Sequence, residues 1–210
     1  MTPPSPGGVV AVVVADLPEP DVWAPLLGVP MAARTVDGLL RSGVVDQVVL
    51  LVRPDVAERA RLVCAGLPVV VHCGPRRDAV ALAGGADCVL LHDGTRPLTP
   101  PALVADVARA TAGQRVVVPV VALPDTVKQV DEHGLVVGSP DRSRLCVVQT
   151  PQAFPPDVVE AVLARDVVPE QAWTRVGEPA VTVPGHVLAF PVRSSWDRKL
   201  AELLAAGADR

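Results

Sequence analysis

Five short apolar segments, separated by segments with helical spacing, constrain the fold of this chain more than any other feature. The strand-like segments are Val9–Val14, Val45–Val52, Leu67–His72, Cys88–His92 and Arg115–Val121. The candidate helices between them are Met31–Ser42, Asp55–Ala65, Arg76–Ala83 and Pro100–Ala112. Strands that are apolar along nearly their whole length are typical of parallel sheets with helices on both faces. The pattern predicts an α/β fold with a mostly parallel sheet.

The chain departs from this alternation after Val121. Polar and apolar residues alternate on either side of a turn at Glu132–Gly134, which predicts a β-hairpin with a return strand at Leu145–Gln149. A hairpin of this length does not pack wholly on the core. We therefore expect residues of about 124–149 to form a protruding arm, either as a surface flap or as a contact to a second subunit.

The remaining segments complete one domain. The predicted elements are helices at Asp157–Ala164 and near Gln171–Arg175, strands at Ala180–Val183 and Val187–Val192, and a closing helix at Trp196–Ala206. No linker composition or internal repeat interrupts the chain. We therefore predict a single domain over residues 1–210.

Composition excludes several classes of protein. The 210 residues are 50% hydrophobic, which is enough for one sizeable core. A net charge of -4 without any basic run argues against nucleic acid or an anionic membrane as a partner. The N-terminus lacks a charged leader, and no apolar stretch reaches the roughly 18–20 residues of a membrane span. These features indicate a cytoplasmic protein.

The segment after the first strand has the position of a phosphate loop but not its chemistry. Phosphate loops need glycines, whose backbone N–H groups surround the anion, and a nearby Lys or Arg. Residues 14–25 contain no glycine, lysine or arginine, and Asp16, Glu19 and Asp21 stand there instead. This loop is therefore poorly suited to a triphosphate.

Polar residues follow the fourth strand in "LLHDGTRPL", where His92, Asp93 and Arg96 lie at its carboxyl end. Ligands of doubly wound sheets bind beyond the carboxyl ends of the strands. Asp93 has the chemistry to hold a divalent metal, and Arg96 to bind a phosphate bidentately. Alternatively, Asp93 caps a turn and Arg96 pairs with it. Position alone leaves both interpretations open.

Four segments together resemble one enzyme family. They are "VLLHDGTRPL", "LPDTVKQV", "DRSRLCVVQTPQAF" and "VPGHVLAFPV...WDRKLAELL". Their order and spacing resemble those of the cytidylyltransferases that join CMP to 2-C-methyl-D-erythritol 4-phosphate in isoprenoid synthesis. The resemblance extends from about Val9 to about Leu204. The resemblance implies a Rossmann-like nucleotidyltransferase fold, a homodimer built through the hairpin arm, and Mg²⁺ as cofactor.

The same resemblance implies roles for individual residues. Asp93 coordinates Mg²⁺ or faces the transferring α-phosphate, and Asp78 lies on the nucleotide side. The residues that it assigns to the acceptor phosphate are Arg96, Thr126, Arg142 and Thr150, with the hairpin residues reaching the partner subunit's site. Ordinary strand and turn preferences explain the two threonines almost as well.

The departures from the family fall on the nucleotide side, that is, on the positions that the resemblance assigns to binding of CTP. The aligned segment Asp16–Pro30 has neither the glycine-rich turn nor its basic residues, and Pro191 replaces a family lysine. Ala79 replaces a serine, and Pro169–Ala172 replaces Thr-Asp-Asp-Ala. Removing one group that stabilises transition-state charge typically costs about 10²–10³ in rate. We therefore expect weak or absent CTP binding and impaired or lost catalysis.

Two basic residues are candidate replacements for the missing cations. Arg193 lies two residues beyond Pro191, and Arg34 lies in the first predicted helix. Exposed surface charge is the simpler interpretation of each. The sequence thus leaves two functions open: a slow cytidylyltransferase, or a catalytically dead dimeric paralogue with a binding, scaffold or regulatory role. In either function, we expect the chain to bind a small phosphate ligand.

Overall fold

A mixed β-sheet forms the centre of a computed structural model that describes residues 8–17, 21–111, 115–164 and 168–208. Glu19 lies outside these ranges. The strands are β1 (Val9–Ala15), β2 (Pro25–Leu26), β3 (Val29–Pro30), β4 (Gln47–Val52), β5 (Val69–His72), β6 (Cys88–Asp93), β7 (Val117–Ala122), β8 (Gln129–Val130), β9 (Val136–Gly138), β10 (Cys146–Val148), β11 (Gln152–Phe154) and β12 (Val181–Pro184).

Helices precede strands β4, β5, β6, β7 and β12. The α-helices are α1 (Met31–Leu40), α2 (Ala57–Val63), α3 (Ala79–Leu82), α4 (Pro101–Ala110), α5 (Val159–Leu163) and α6 (Ser195–Ala208). Short 3₁₀ helices include Arg76–Asp78, Arg142–Arg144 and Pro169–Arg175. Within the described ranges, no helix has the length and apolar character needed to cross a membrane.

The sheet has the order β10-β7-β11-β6-β1-β4-β5, and β12 also pairs with β7. Strands β6, β1, β4 and β5 are parallel, with Val14 opposite Asp93 and Leu51 opposite His72. Strands β10 and β11 run antiparallel to β7. The predicted α/β fold with a mostly parallel sheet is confirmed, and the carboxyl ends of β6, β1, β4 and β5 share one edge.

Two apolar layers cover the faces of the sheet, as the continuous apolar strands predict. Ala11 and Val13 of β1 face a core that includes residues of α1 and α4, such as Val36 and Leu103. The alternate residues of β1 face a second core that includes Val162 of α5. Helices therefore lie on both faces and leave the strand ends to carry polar side chains.

The predicted strand at Val187–Val192 is wrong. Residues 187–192 are irregular and begin with a turn in which Ala189 donates its N–H to the carbonyl of His186 at 3.0 Å. Pro191 has no N–H for a strand ladder. The amide of Val192 donates instead to the carbonyl of Thr95 at 2.7 Å, which holds this segment against the end of β6.

The segment predicted as an arm forms only a short hairpin. Strands β8 and β9 pair at Gln129–Gly138 and Val130–Val136 around a turn at residues 131–135. The predicted return strand is present as β10, which pairs with β7 rather than with the outgoing part of the hairpin. The protrusion of this segment toward a second subunit stays a prediction.

Candidate active site

The ends of β1 and β6 approach each other closely at the edge of the sheet. The N–H of Gly94 donates to the carbonyl of Val14 at 3.0 Å, and a Cβ at position 94 would lie 2.8 Å from that oxygen. Only glycine fits this contact without a shift of the backbone. The close approach places Asp93, the last residue of β6, beside the loop that follows β1.

Backbone contacts fix the orientation of Asp93. Its Oδ1 accepts the N–H of Thr95 at 2.8 Å, and its own N–H donates to the hydroxyl oxygen of Thr150 at 3.1 Å. The residue is buried. Asp93 therefore caps the turn, and its Oδ2 points away from this bond toward two arginines described below.

Thr150 is fully buried and holds His92 as well as Asp93. Its hydroxyl oxygen lies 2.9 Å from Nδ1 of His92, whose Nε2 has no hydrogen-bond partner among the described residues. Burial, with the nearby charge of Arg96, lowers the pKa of His92 to about 3, so the imidazole is neutral. The geometry makes Thr150 a positioning residue behind Asp93, and its contact with an acceptor phosphate stays a prediction.

Two arginines and two carboxylates form a charge cluster beyond β6. Glu170 Oε1 accepts from Arg96 Nη2 at 2.6 Å and from Arg193 Nη2 at 2.7 Å. Asp93 Oδ2 lies 3.7 Å from Arg96 Nε and 3.4 Å from Arg193 Nη2. The formal charges of the four side chains cancel, so an incoming anion meets guanidinium groups that are already partnered.

The two arginines of the cluster differ in access to solvent. The Arg96 side chain is 4% exposed and also donates through Nη1 to the carbonyl of Ala189, whereas the Arg193 side chain is 49% exposed. Both line a largely apolar cavity of about 640 Å³, together with Val148, Phe190 and Glu170. Arg193, a candidate replacement in the sequence, therefore reaches the predicted site.

A second ion pair lies at the end of β1. Arg76 donates to Asp16 through Nε at 2.8 Å and through Nη2 at 2.7 Å, which is a bidentate geometry. The Arg76 side chain is buried, and that of Asp16 is 22% exposed. Of the acidic residues that the sequence places in this loop, Asp16 is thus paired with a buried arginine.

Other predicted site residues lie apart from the charge cluster. Asp78 is exposed at the sheet edge beyond β5, with Arg77 Nε 3.8 Å from its carboxylate. Arg34 Nε donates to the carbonyl of Leu26 at 2.8 Å and lines a different cavity, of about 310 Å³. Of the two candidate replacement cations, Arg193 is therefore the one that joins the charge cluster.

Thr126 and Arg142 lie at opposite ends of the β8–β9 segment, residues 126–142, and both are exposed. The side chain of neither residue forms a hydrogen bond or ion pair with another described residue. Two nearby carboxylates have local backbone partners, since Asp131 accepts from Leu135 N and Asp141 from Ser143 N. Arg142 therefore remains available to an external anion.

Arg76 and Glu170 belong to the site in the structure, although no sequence motif marks them as site residues. Arg76 follows β5 at the carboxyl edge of the sheet, and that position was a usable signal. Glu170 lies in a 3₁₀ segment 74 residues beyond Arg96, and no local pattern predicts that they meet. Only the packing of residues 169–175 against β6 and β11 brings Glu170 to the site.

Comparison with known proteins decides the family. The profile of the family described as IspD, 2-C-methyl-D-erythritol 4-phosphate cytidylyltransferase, matches residues 14–206. The chain belongs to this family. A protein of that name from Nocardia farcinica is 43% identical over 199 residues, covering 88% of this chain and 85% of the relative. One from Rhodococcus opacus is 39% identical over 196 residues, covering 89% and 87%.

Solved structures of the IspD family share the fold. The crystal structure of the 2-C-methyl-D-erythritol 4-phosphate cytidylyltransferase from Thermus thermophilus matches with a TM-score of 0.76 and 26% identity, covering 95% of this chain and 99% of that one. A 4-diphosphocytidyl-2C-methyl-D-erythritol synthase from Anaerococcus prevotii matches with a TM-score of 0.81 and 20% identity, covering 95% and 99%. The Rossmann-like fold expected from the resemblance is confirmed.

Proposed function

We propose that this chain transfers a cytidylyl group from CTP to 2-C-methyl-D-erythritol 4-phosphate. An oxygen of the acceptor phosphate attacks the α-phosphorus of CTP, a new P–O bond forms, and the bond to pyrophosphate breaks. The observation that carries the proposal, beside family membership, is that Arg96 and Arg193 line one cavity beyond β6 and both approach the Asp93 carboxylate, at 3.7 and 3.4 Å. Reactions of this type depend mainly on positioning and on charge neutralisation.

Asp93 is the residue that would hold Mg²⁺. The described residues contain no group of three or more His, Cys, Asp or Glu side chains with metal-site geometry. Mg²⁺ commonly uses one or two protein carboxylates and completes its shell with water and substrate phosphates. Asp93 fits that pattern because Oδ1 is fixed by a backbone N–H while Oδ2 has only the two longer arginine contacts. The metal would neutralise phosphate charge there.

The nucleotide side supports a reaction that is slower than in relatives with the glycine-rich loop. No glycine cradle follows β1, and the Arg76 guanidinium near this loop is bound to Asp16. Each missing cation typically costs about 10²–10³ in rate, although such losses do not simply multiply. Arg193 offsets part of this loss because its half-exposed guanidinium supplies a cation at the cavity beyond β6.

On the acceptor side, we propose that the segment of residues 124–149 bridges two subunits of a homodimer. Thr126 and Arg142 then contact the phosphate in the partner subunit's site. Exposed apolar side chains on the segment support this proposal, since Leu135, Val136 and Val137 are 64%, 65% and 58% exposed. Burial of such side chains against a second copy is favourable.

Pyrophosphate release with CTP, Mg²⁺ and 2-C-methyl-D-erythritol 4-phosphate tests the activity. We expect slow, acceptor-dependent release and a fall of about 10² or more in Asp93→Asn. Asp87→Asn, an exposed aspartate just before β6, is the matched control and keeps the wild-type rate. Absence of release from the wild type at millimolar CTP would contradict the proposal.

The acidic loop supports a second function, that of a catalytically dead dimeric paralogue that binds a phosphate ligand. Asp16 and Asp21 stand where a triphosphate would need cations, while the acceptor side keeps Arg96 and Arg142. This function predicts that the acceptor binds without any pyrophosphate release. Calorimetric titration of the acceptor alone, compared with Arg142→Ala, separates the two functions.

A further inference from the structure

Glu170 occupies the position between two guanidinium groups at the edge of the large cavity. Its Oε1 accepts from Arg96 Nη2 at 2.6 Å and from Arg193 Nη2 at 2.7 Å. Two guanidinium groups that converge on one anionic oxygen are also suited to a phosphate. We propose that Glu170 is an internal competitor that holds the place of the acceptor phosphate on Arg96 and Arg193, and swings away when phosphate binds.

The Glu170 carboxylate leaves two buried polar atoms at this position without hydrogen-bond partners. Glu170 Oε2 is buried and has no hydrogen-bond partner among the described residues, and the same holds for Arg96 Nε. Buried polar atoms without partners are unfavourable and rare in folded proteins. A phosphate carries more acceptor oxygens and more negative charge than a carboxylate. It therefore competes well for the same two arginines.

Only the side chain of Glu170 has to move. The backbone carbonyl of Glu170 accepts from Gln152 Nε2 at 3.0 Å, and Gln152 Oε1 accepts from the backbone N–H of Trp173 at 3.1 Å. Gln152 is fully buried, so it fixes the backbone of the 3₁₀ segment. The Glu170 side chain is 16% exposed and lines the cavity, which leaves space for a rotamer change.

The exchange assigns a role to Arg193 that the sequence left open. Its half-exposed guanidinium becomes the second cation on the phosphate, next to the buried Arg96. Removal of the Glu170 charge then strengthens phosphate binding, because a like charge leaves the site. Removal of the Arg193 charge weakens it. The identity of the phosphate as the acceptor substrate rests on the proposed function, whereas the competition itself does not.

Calorimetric titration with inorganic phosphate tests the competition without CTP. We expect the Kd to fall about fivefold in Glu170→Gln and to rise about tenfold in Arg193→Ala. Glu178→Gln and Arg175→Ala are the matched controls, since both residues are exposed in the neighbouring segment, and they leave the Kd unchanged. In the double variant Glu170→Gln/Arg193→Ala, the gain in phosphate affinity from Glu170→Gln shrinks, because residues 170 and 193 are coupled.

Equal or weaker phosphate binding by Glu170→Gln, or unchanged binding by Arg193→Ala, would overturn this inference. Pyrophosphate release is measured in parallel on the same variants. Tighter phosphate binding by Glu170→Gln together with an inactive wild type supports the competition and contradicts the proposed function. An active wild type whose phosphate affinity does not change in Glu170→Gln supports the proposed function and contradicts the competition.

Discussion

Arg76 and Asp16 are joined by two hydrogen bonds of 2.8 and 2.7 Å that span from the end of β5 to the end of β1. Strand β4 lies between these two strands in the sheet. The pair therefore ties three strands together at the edge where the site lies. It also neutralises the charge of Asp16 at the end of β1, and two predictions depend on it.

The first prediction concerns stability. Arg76→Ala leaves the Asp16 carboxylate partly buried and without its main partner, and such breaks of buried pairs cost about 3–5 kcal/mol. Because Asp16 is 22% exposed, we expect a loss near the lower end of that range. Arg77→Ala, at an exposed neighbour, should change the free energy of unfolding by less than about 0.5 kcal/mol. Urea denaturation of both variants makes the comparison, and equal stabilities would contradict it.

The second prediction concerns the nucleotide. Without glycine amides or a basic side chain in the loop after β1, the wild type should bind CTP with Mg²⁺ only in about the millimolar range. Asp16→Asn removes a negative charge and loosens the hold on Arg76, so we expect about fivefold tighter binding. Asp87→Asn is the control for a simple change in net charge. Micromolar CTP affinity in the wild type, measured by calorimetry, would refute this expectation.

The third prediction concerns assembly. Leu135 and Val136 expose apolar surface on the β8–β9 segment, and we expect a second subunit to cover it. Deletion of Val130–Val136, or Val136→Asp alone, should convert a dimer to a monomer in sedimentation at tens of micromolar. Leu62→Asp changes a side chain that is 71% exposed on α2 and should leave the dimer intact. A wild type that sediments as a monomer would rule out the bridging role.

The fourth prediction concerns pH. Burial lowers the pKa of His92 from 6.5 to about 3, so between these values the unfolded chain binds a proton that the folded chain does not. The free energy of unfolding therefore falls as pH drops through this window, by up to about 1.4 kcal/mol per pH unit. His92→Gln should flatten the dependence measured by urea denaturation from pH 7 to 5. His133→Gln changes an exposed histidine and should leave the pH dependence as it is in the wild type. Parallel curves for the wild type, His92→Gln and His133→Gln would contradict the prediction.

The strand and helix pattern was readable from the sequence because local patterns specify it. Continuous β-branched runs such as β1 and β4 are buried on both faces, and the helices between them place apolar residues at helical spacing. The position of Asp93 at a sheet edge follows from the same pattern, since it directly ends a buried strand. The predicted strand at Val187–Val192 failed because tertiary contacts, namely Val192 to Thr95, replace a ladder there.

The α/β class, the family, and the place of Asp93 and Arg96 at the end of the fourth long strand are all readable from the order of residues along the chain. Tertiary structure alone decided which charges meet: Arg76 with Asp16, and Glu170 with Arg96 and Arg193. The physical reason is distance along the chain. Backbone periodicity acts over a few residues, whereas these ion pairs join residues 23 to 74 positions apart and form only after the sheet has brought its strand ends to one edge.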